Sequence, residues 1–301
     1  MLAFQPIEAD NVSEFSSYFR CQNFRTCDYT LAGTFMWRKF FYSEYAVDRD
    51  MLFFKVRYVN GKTAFTLPIG CGSTEDALET LEHYARRNKT HLAFCSVPEE
   101  GLAILQNRYG DAVAYTQNRD SFDYLYIAED MRSFAGRRFS GQRNHVNKFQ
   151  KLYPDFRYVP MNEDNIGRVI EFFDRYAPEH VKDNPIAREE TLRAKEILTY
   201  FIRFGLLGGF LEVDGQIIAF SIGEIVGDTL FVHIEKALKE YQGSYQMMVK
   251  QFALHEVTEK VRYINREDDA GDPGLRKSKL SYHPVRLLEK YFVTVEDSAW
   301  Q

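Results

Sequence analysis

Residues 208–237, GGFLEVDGQIIAFSIGEIVGDTLFVHIEKA, break into three apolar runs at two turn signals, Asp214-Gly215 and Gly227-Asp228. Such dipeptides supply the positive φ that a tight hairpin needs, so the segment reads as three consecutive antiparallel strands. Downstream, Tyr245 to Glu259 carries Met248, Val249, Phe252 and Ala253 at helical spacing, and RYINRE (262–267) reads as a further strand. Three strands, a helix and a strand describe a mixed, mainly antiparallel sheet covered by helices, an α+β arrangement.

Upstream of the meander, Ile166, Val169, Ile170 and Phe173 form one helical face, and Asn184-Pro185 introduces a second helix through Ile197, Leu198, Phe201 and Ile202. The same order of elements is visible nearer the amino terminus. Val12, Phe15, Tyr18 and Phe19 recur at helical spacing, and residues 51–70, MLFFKVRYVNGKTAFTLPIG, form a hairpin about Asn60-Gly61. Ser73 and Asp76 open a helix, THLAFCSV is a strand, Leu102 to Tyr109 a helix and SFDYLYI a strand. VRLLEKY (285–291) reads as a short last helix before FVTV. Two similar halves imply a duplicated domain, 1–135 followed by 136–301.

Composition narrows the classes. Aromatic residues make up 15% of the 301, more than a surface can carry, so they fill large cores or line a pocket. Cys21, Cys27, Cys71 and Cys95 form no CxxC pair and sit among apolar neighbours, which suits reduced thiols better than disulfides or metal ligands. No apolar run reaches the length of a membrane helix and MLAFQPIEAD carries no leader pattern, so the expectation is a cytoplasmic protein. A net charge of -5 argues against a general nucleic-acid coat. Against that background RRFSGQRNHVNKFQK (137–151) stands out, with Arg137, Arg138, Arg143, Lys148 and Lys151 and no acidic residue.

Two motifs, GQRNHVNKF (141–149) and NREDDAGDPGLRKSKLSYHPVRLLEKY (265–291), together with the meander, resemble the carboxy-terminal domain of phosphatidylglycerol lysyltransferase and its stand-alone soluble relatives. The paired halves resemble tandem GNAT-like acyltransferase domains of the Fem type. The resemblance implies aminoacyl transfer from a charged tRNA to a lipid or another amine or hydroxyl acceptor, with no cofactor beyond the donor substrate. The lysyltransferase's membrane-spanning half has no counterpart in these 301 residues, which leaves the acceptor and the oligomeric state open.

Alternation along DTLFVHIEKA puts Phe231, His233 and Glu235 on one face, and Tyr263, Asn265 and Glu267 share a face of RYINRE. In a GNAT-like sheet these two strands splay, so Glu235 and Glu267 are expected to converge on one cleft and hold the donor's amine, with His233 and Asn265 beside them. The loop that follows adds Asp268 and Asp269 for the amine, Arg276 and Lys279 for phosphates, and Tyr282 and His283 for proton transfer or for stacking on a terminal adenine. If the basic stretch is helical from about Gly141, Arg143, Asn147 and Lys151 lie on one side of it. With Asn144, His145 and Lys148 they suit an RNA backbone.

Two other functions fit the same fold. An acyl-CoA-dependent N-acyltransferase needs backbone N–H groups for a pyrophosphate before the Tyr245 helix, and of Glu240, Gly243 and Tyr245 only Gly243 suits that task. A non-catalytic RNA- or ligand-binding module would keep the basic surface without turnover.

Overall fold

The computed structural model describes residues 2–58, 61–180 and 185–300. These form two compact units. The first holds the chain up to Asp123, Asp268–Gly271 and the stretch from Leu288 onward; the second holds Tyr124–Glu267 and Asp272–Leu287.

In the first unit β1 (Gln5–Pro6), β2 (Glu44–Asp48), β3 (Met51–Arg57), β4 (Thr63–Phe65), β5 (Ile69–Gly70), β6 (Ala93–Pro98) and β7 (Val113–Gln117) accompany α1 (Leu31–Trp37), α2 (Thr74–Asn88) and α3 (Glu99–Tyr109). The hairpin expected at 51–70 is the antiparallel β3–β4 pair; Asn60 of its turn lies outside the described residues. The Ser-x-x-Asp start of α2 is as read, with Ser73 Oγ accepting from the Asp76 N–H at 3.2 Å. The expected helix at Val12–Phe19 is instead two 3-10 segments, Ala9–Glu14 and Ser16–Cys21. One cysteine expectation is corrected. Cys21 and Cys71 are joined in a disulfide with Cα atoms 5.2 Å apart, while Cys27 and Cys95 are not disulfide-bonded. The pair is 50 residues apart and is brought together where the Ser16–Cys21 turn meets β5, a tertiary contact that spacing does not encode.

The second unit contains β8 (Asp123–Ile127), α4 (Ala128–Ser133), α5 (Ser140–Leu152), β9 (Arg157–Pro160), α6 (Ile166–His180), α7 (Pro185–Tyr200), β10 (Leu207–Val213), β11 (Gln216–Val226), β12 (Thr229–Ala237), α8 (Ser244–Glu256), β13 (Tyr263–Asn265), α9 (Pro273–Leu280) and β14 (Arg286–Leu288). Asn184, expected to open α7, lies outside the described residues. The meander is β10-β11-β12, and the Asp214-Gly215 turn takes φ of 49° and 77° as a two-residue hairpin requires. Tyr124, Tyr126, Phe149, Met248 and Phe252 anchor the core beneath α5 and α8.

The two sheets repeat one plan with an exchange. In the second the order is β14-β8-β13-β12-β11-β10-β9; in the first it is β1-β2-β3-β4-β6-β15-β7, where β15 (Lys290–Val295) ends the chain. A meander strand runs parallel to the strand after the helix in both, β4 beside β6 and β12 beside β13. The next strand, antiparallel, comes in each case from the other half of the sequence: β15 pairs β6, and β8 pairs β13. The division expected at 135/136 therefore differs from the units' boundaries, because strand partners are chosen by pairing rather than by sequence neighbourhood. For the same reason VRLLEKY forms no helix: Arg286–Leu288 and Lys290–Val295 are strands, with Lys290 opposite Pro98. The loop expected after Asp272 is α9, capped by Asp272 Oδ1 accepting from the Leu275 N–H at 2.8 Å, with Pro273 in its first turn.

β15 also carries a buried cation. Lys290, 6% exposed, places Nζ 2.6 Å from Asp28, 2.7 Å from Asp123 and 3.2 Å from Cys27 Sγ. Among the described residues, Cys27, Asp28 and Asp123 are a group with metal-ligand spacing, and the ammonium already lies among them. Removing one carboxylate leaves buried charge short of its partner. Asp123→Ala is expected to lower the stability of the chain by about 3 kcal/mol in urea unfolding; a loss below about 0.5 kcal/mol, the range of surface substitutions, would show that this ion pair does not anchor β15.

Candidate functional site

β12 and β13 pair only over Thr229–Phe231 and Tyr263–Asn265. Past these residues the strands part, and His233 and Glu235 on one side and Arg266 and Glu267 on the other border the gap. A β-bulge shapes the first side: Ile222 pairs with Ile234 but Gly223 pairs with Val232, so His233 is an extra residue. Glycine at 223 permits it, since a Cβ there would lie 2.1 Å from the Phe231 carbonyl oxygen. The extra residue reverses the alternation. His233 lies with Phe231, ring centroids 6.4 Å apart, whereas Glu235 lies opposite Ser221 on the other face.

Two ionic contacts span the gap. His233 has no exposed side-chain surface; Nδ1 donates to Glu267 Oε1 at 2.7 Å and Nε2 to Glu224 Oε1 at 2.9 Å. Burial alone pushes the imidazole down, but the hydrogen bonds and charges of Glu224 and Glu267 outweigh it and lift it to about 10. The ring is therefore an imidazolium at neutral pH, and one cation between two carboxylates leaves the group net negative. Glu267 is held for this contact: its φ is 57°, costly for a residue with a side chain, and its N–H donates to the buried Asn265 Oδ1 at 2.6 Å. The other contact runs from Arg266 Nη2 to Glu235 Oε1 at 2.6 Å, with Ser221 Oγ 3.3 Å from Glu235 Oε2. The Arg266 guanidinium lies over the Tyr282 ring, 4.8 Å from its centroid.

The expected convergence of Glu235 and Glu267 is thus corrected. Each carboxylate takes its own cation, and the bulge separates His233 from Glu235. Glu224 and Arg266 were missed, although a glycine inside a strand, Gly223, is the usual mark of such a bulge.

Other expected residues lie as follows. Asp268 and Asp269 belong to the first unit, where the buried Asp269 pairs with Arg119 at 3.3 Å. Lys279 is 8% exposed, and its Nζ donates to the Arg266 carbonyl at 2.5 Å, so it fixes α9 instead of meeting phosphate. Arg276 is half-buried on α9. Tyr282 is buried, and burial pushes its phenol up to about 12, which removes it as a base at neutral pH and as a stacking platform. His283 is exposed with φ 54° and donates through Nε2 to the Arg138 carbonyl at 2.9 Å.

The basic stretch does adjoin the second motif. Gln142 Nε2 donates to the Ser281 carbonyl at 2.6 Å, and Phe139 meets His283 edge-on. Two of its cations have partners in the chain: Arg143 donates to the carbonyls of Phe134 and Gly136, and Arg138 pairs with Asp130 at 2.5 Å. Val146 and Phe149 are buried, while Arg137, Asn144, His145, Asn147, Lys148 and Lys151 are exposed. α5 also crosses the start of α8. Gly243 has φ 88°, and a Cβ there would lie 2.4 Å from the His145 carbonyl oxygen.

The His233 assignment makes a direct prediction. Because the folded imidazole holds its proton above the unfolded value of about 6.5, its contribution to stability is complete below about pH 6.5 and fades as pH rises toward 10. In 15N-labelled protein both His233 ring nitrogens should remain protonated at pH 8; titration near 6.5 would contradict the bracketed imidazolium.

Comparison with known proteins agrees with this architecture. Residues 19–294 match the family model for the carboxy-terminal region of phosphatidylglycerol lysyltransferase. A conserved protein of unknown function from Bacteroides thetaiotaomicron is 31% identical and superposes with a TM-score of 0.87 over 98% of this chain and 100% of that one. L-PGS from Bacillus licheniformis shares the fold at 14% identity, TM-score 0.63, over 96% and 92% of the two chains, and FemX at 10% identity, TM-score 0.62, over 98% of each. An uncharacterised protein of Mycoplasmoides gallisepticum is 25% identical over 181 residues; the match spans 59% of this chain and 58% of that protein. Among the described residues no helix is long and apolar enough to cross a membrane. The chain shares its fold with FemX, and it belongs to the phosphatidylglycerol lysyltransferase carboxy-terminal family.

Proposed function

We propose that the protein transfers an aminoacyl group from an aminoacyl-tRNA to an amine or hydroxyl of a small-molecule, lipid or peptide acceptor, in the cytoplasm. The observation that carries this reading is the net negative Glu224–His233–Glu267 group where the strands part. A fixed pair of carboxylates bridged by one cation suits the ammonium of an aminoacyl ester. The family's name, phosphatidylglycerol lysyltransferase, supports an aminoacyl group as the one transferred.

In this reading Glu267 holds the α-ammonium while the acceptor attacks the ester carbonyl. The exposed face of α5, with Lys148, Lys151, Asn144 and Asn147, takes the tRNA backbone. Lys279 has no part in phosphate binding. An acyl-CoA donor is disfavoured by two observations: it carries no ammonium for the carboxylates, and α5 places the His145 carbonyl against Gly243, where a pyrophosphate would seek the N–H groups of α8.

The test is incubation with radiolabelled aminoacyl-tRNAs and, separately, acyl-CoAs. The expected outcome is transfer or deacylation with at least one aminoacyl-tRNA and no acyl-CoA turnover. Acyl-CoA turnover alone would establish the N-acyltransferase, and tRNA binding without reaction would establish a binding module. Glu267→Gln should lower the transfer rate by about 10²-fold or more with RNA affinity kept. Lys148→Ala with Lys151→Ala should reduce the log-log salt slope of tRNA binding by about 1.5; an unchanged slope would remove α5 from the RNA surface.

A further inference from the structure

One buried donor in the gap has no acceptor among the described residues. Among the described residues a few buried side-chain polar atoms lack a hydrogen-bond partner, and Arg266 Nη1 is the one that belongs to a charged group where β12 and β13 part. Leaving an ionised donor buried and unmatched costs more than leaving a neutral one, and a folded chain that keeps such a group gains when an oxygen from outside reaches it. Nothing about this guanidinium is loose. Nη2 is tied to Glu235 at 2.6 Å, and the plane rests on the Tyr282 ring at 4.8 Å. Because a guanidinium is a rigid planar fork, fixing one arm and the plane fixes the direction of the other arm.

We propose that Arg266 is a further catalytic residue of the transfer site, with Nη1 donating to the carbonyl oxygen of the acyl donor, and that Glu235 is the positioning residue that aims it. This rests on the aminoacyl-tRNA reading above. Arg266 and Glu267 are adjacent in sequence and both border the opening past β13, so an aminoacyl group seated there presents its carbonyl to the first and its ammonium to the second. In the reaction the acceptor's nitrogen or oxygen forms a bond to the ester carbon, and the carbonyl π pair moves onto oxygen, where the Arg266 N–H meets the growing charge. Collapse restores the carbonyl and breaks the bond to the ribose oxygen, which departs with the proton the acceptor releases. Arg266 neither gives nor takes a proton. Its shielding from water strengthens the contact in the transition state more than in the ground state.

The experiment is steady-state transfer from radiolabelled aminoacyl-tRNA by wild type, Arg266→Lys, Arg266→Gln and Arg266→Ala, with thermal melts to confirm folding. The expected result is a fall in kcat of about 10²-fold or more with KM for the tRNA within about twofold, as for loss of one oxyanion donor, and partial recovery of Arg266→Ala kcat by added guanidinium. Should Arg266→Gln fail to fold, Arg266→Lys carries the measurement, because it keeps the charge and loses the fork. Glu235→Gln is expected to lower kcat less, since Nη1 keeps its donor and loses only its aim. An unchanged kcat, or a rise in KM alone, in folded Arg266→Lys and Arg266→Gln overturns the inference and leaves the aminoacyl-tRNA reading standing. No turnover of any aminoacyl-tRNA by the wild type overturns that reading, and this inference with it.

Discussion

Beyond Asn265 the chain leaves β12, and the opening is held by charge where a ladder of backbone hydrogen bonds would otherwise run. His233 ties Glu267 to Glu224, and Arg266 ties itself to Glu235. These contacts fix where the outgoing segment starts, at a left-handed Glu267, and hence where the following residues begin. A largely buried ion pair is a poor source of net stability and a demanding geometric constraint. Its arrangement here keeps one carboxylate pair net negative and one guanidinium arm unmatched, two properties that serve a ligand better than they serve the fold.

The gap depends in turn on how each sheet is finished. Since β13 is only three residues long, it needs β8 on its far side to stay in the sheet, and β8 is supplied by the first half of the sequence. The reciprocal strand, β15, completes the first sheet and carries Lys290 into a buried cluster of carboxylates. The exchange makes each sheet incomplete without a strand from the other half of the sequence.

Much of the second sheet was legible from local signals. Asp214-Gly215 and Gly227-Asp228 announced the meander because turn chemistry is local, and the apolar spacing of Met248, Val249 and Phe252 announced α8. What stayed hidden was non-local. No spacing rule pairs Cys21 with Cys71 or sends SFDYLYI and FVTV to opposite sheets. The helical spacing in VRLLEKY was overridden by a partner strand. In the site, strict alternation placed His233 with Glu235, and one extra residue at the bulge reversed it; Gly223 was the available clue. The basic motif and the 265–291 motif do adjoin, through Gln142, Ser281 and His283, yet several of their cations proved to be internal fasteners.

The account stands on the claim that the gap between β12 and β13 receives an aminoacyl group. A crystal structure with a 3′-aminoacylamino-3′-deoxyadenosine, a stable amide analogue of the charged tRNA end, tests it most directly. The account predicts the ligand's ammonium about 3 Å from the Glu267 carboxylate and its carbonyl oxygen about 3 Å from Arg266 Nη1. An aminoacyl group bound elsewhere, with both contacts absent, would contradict it.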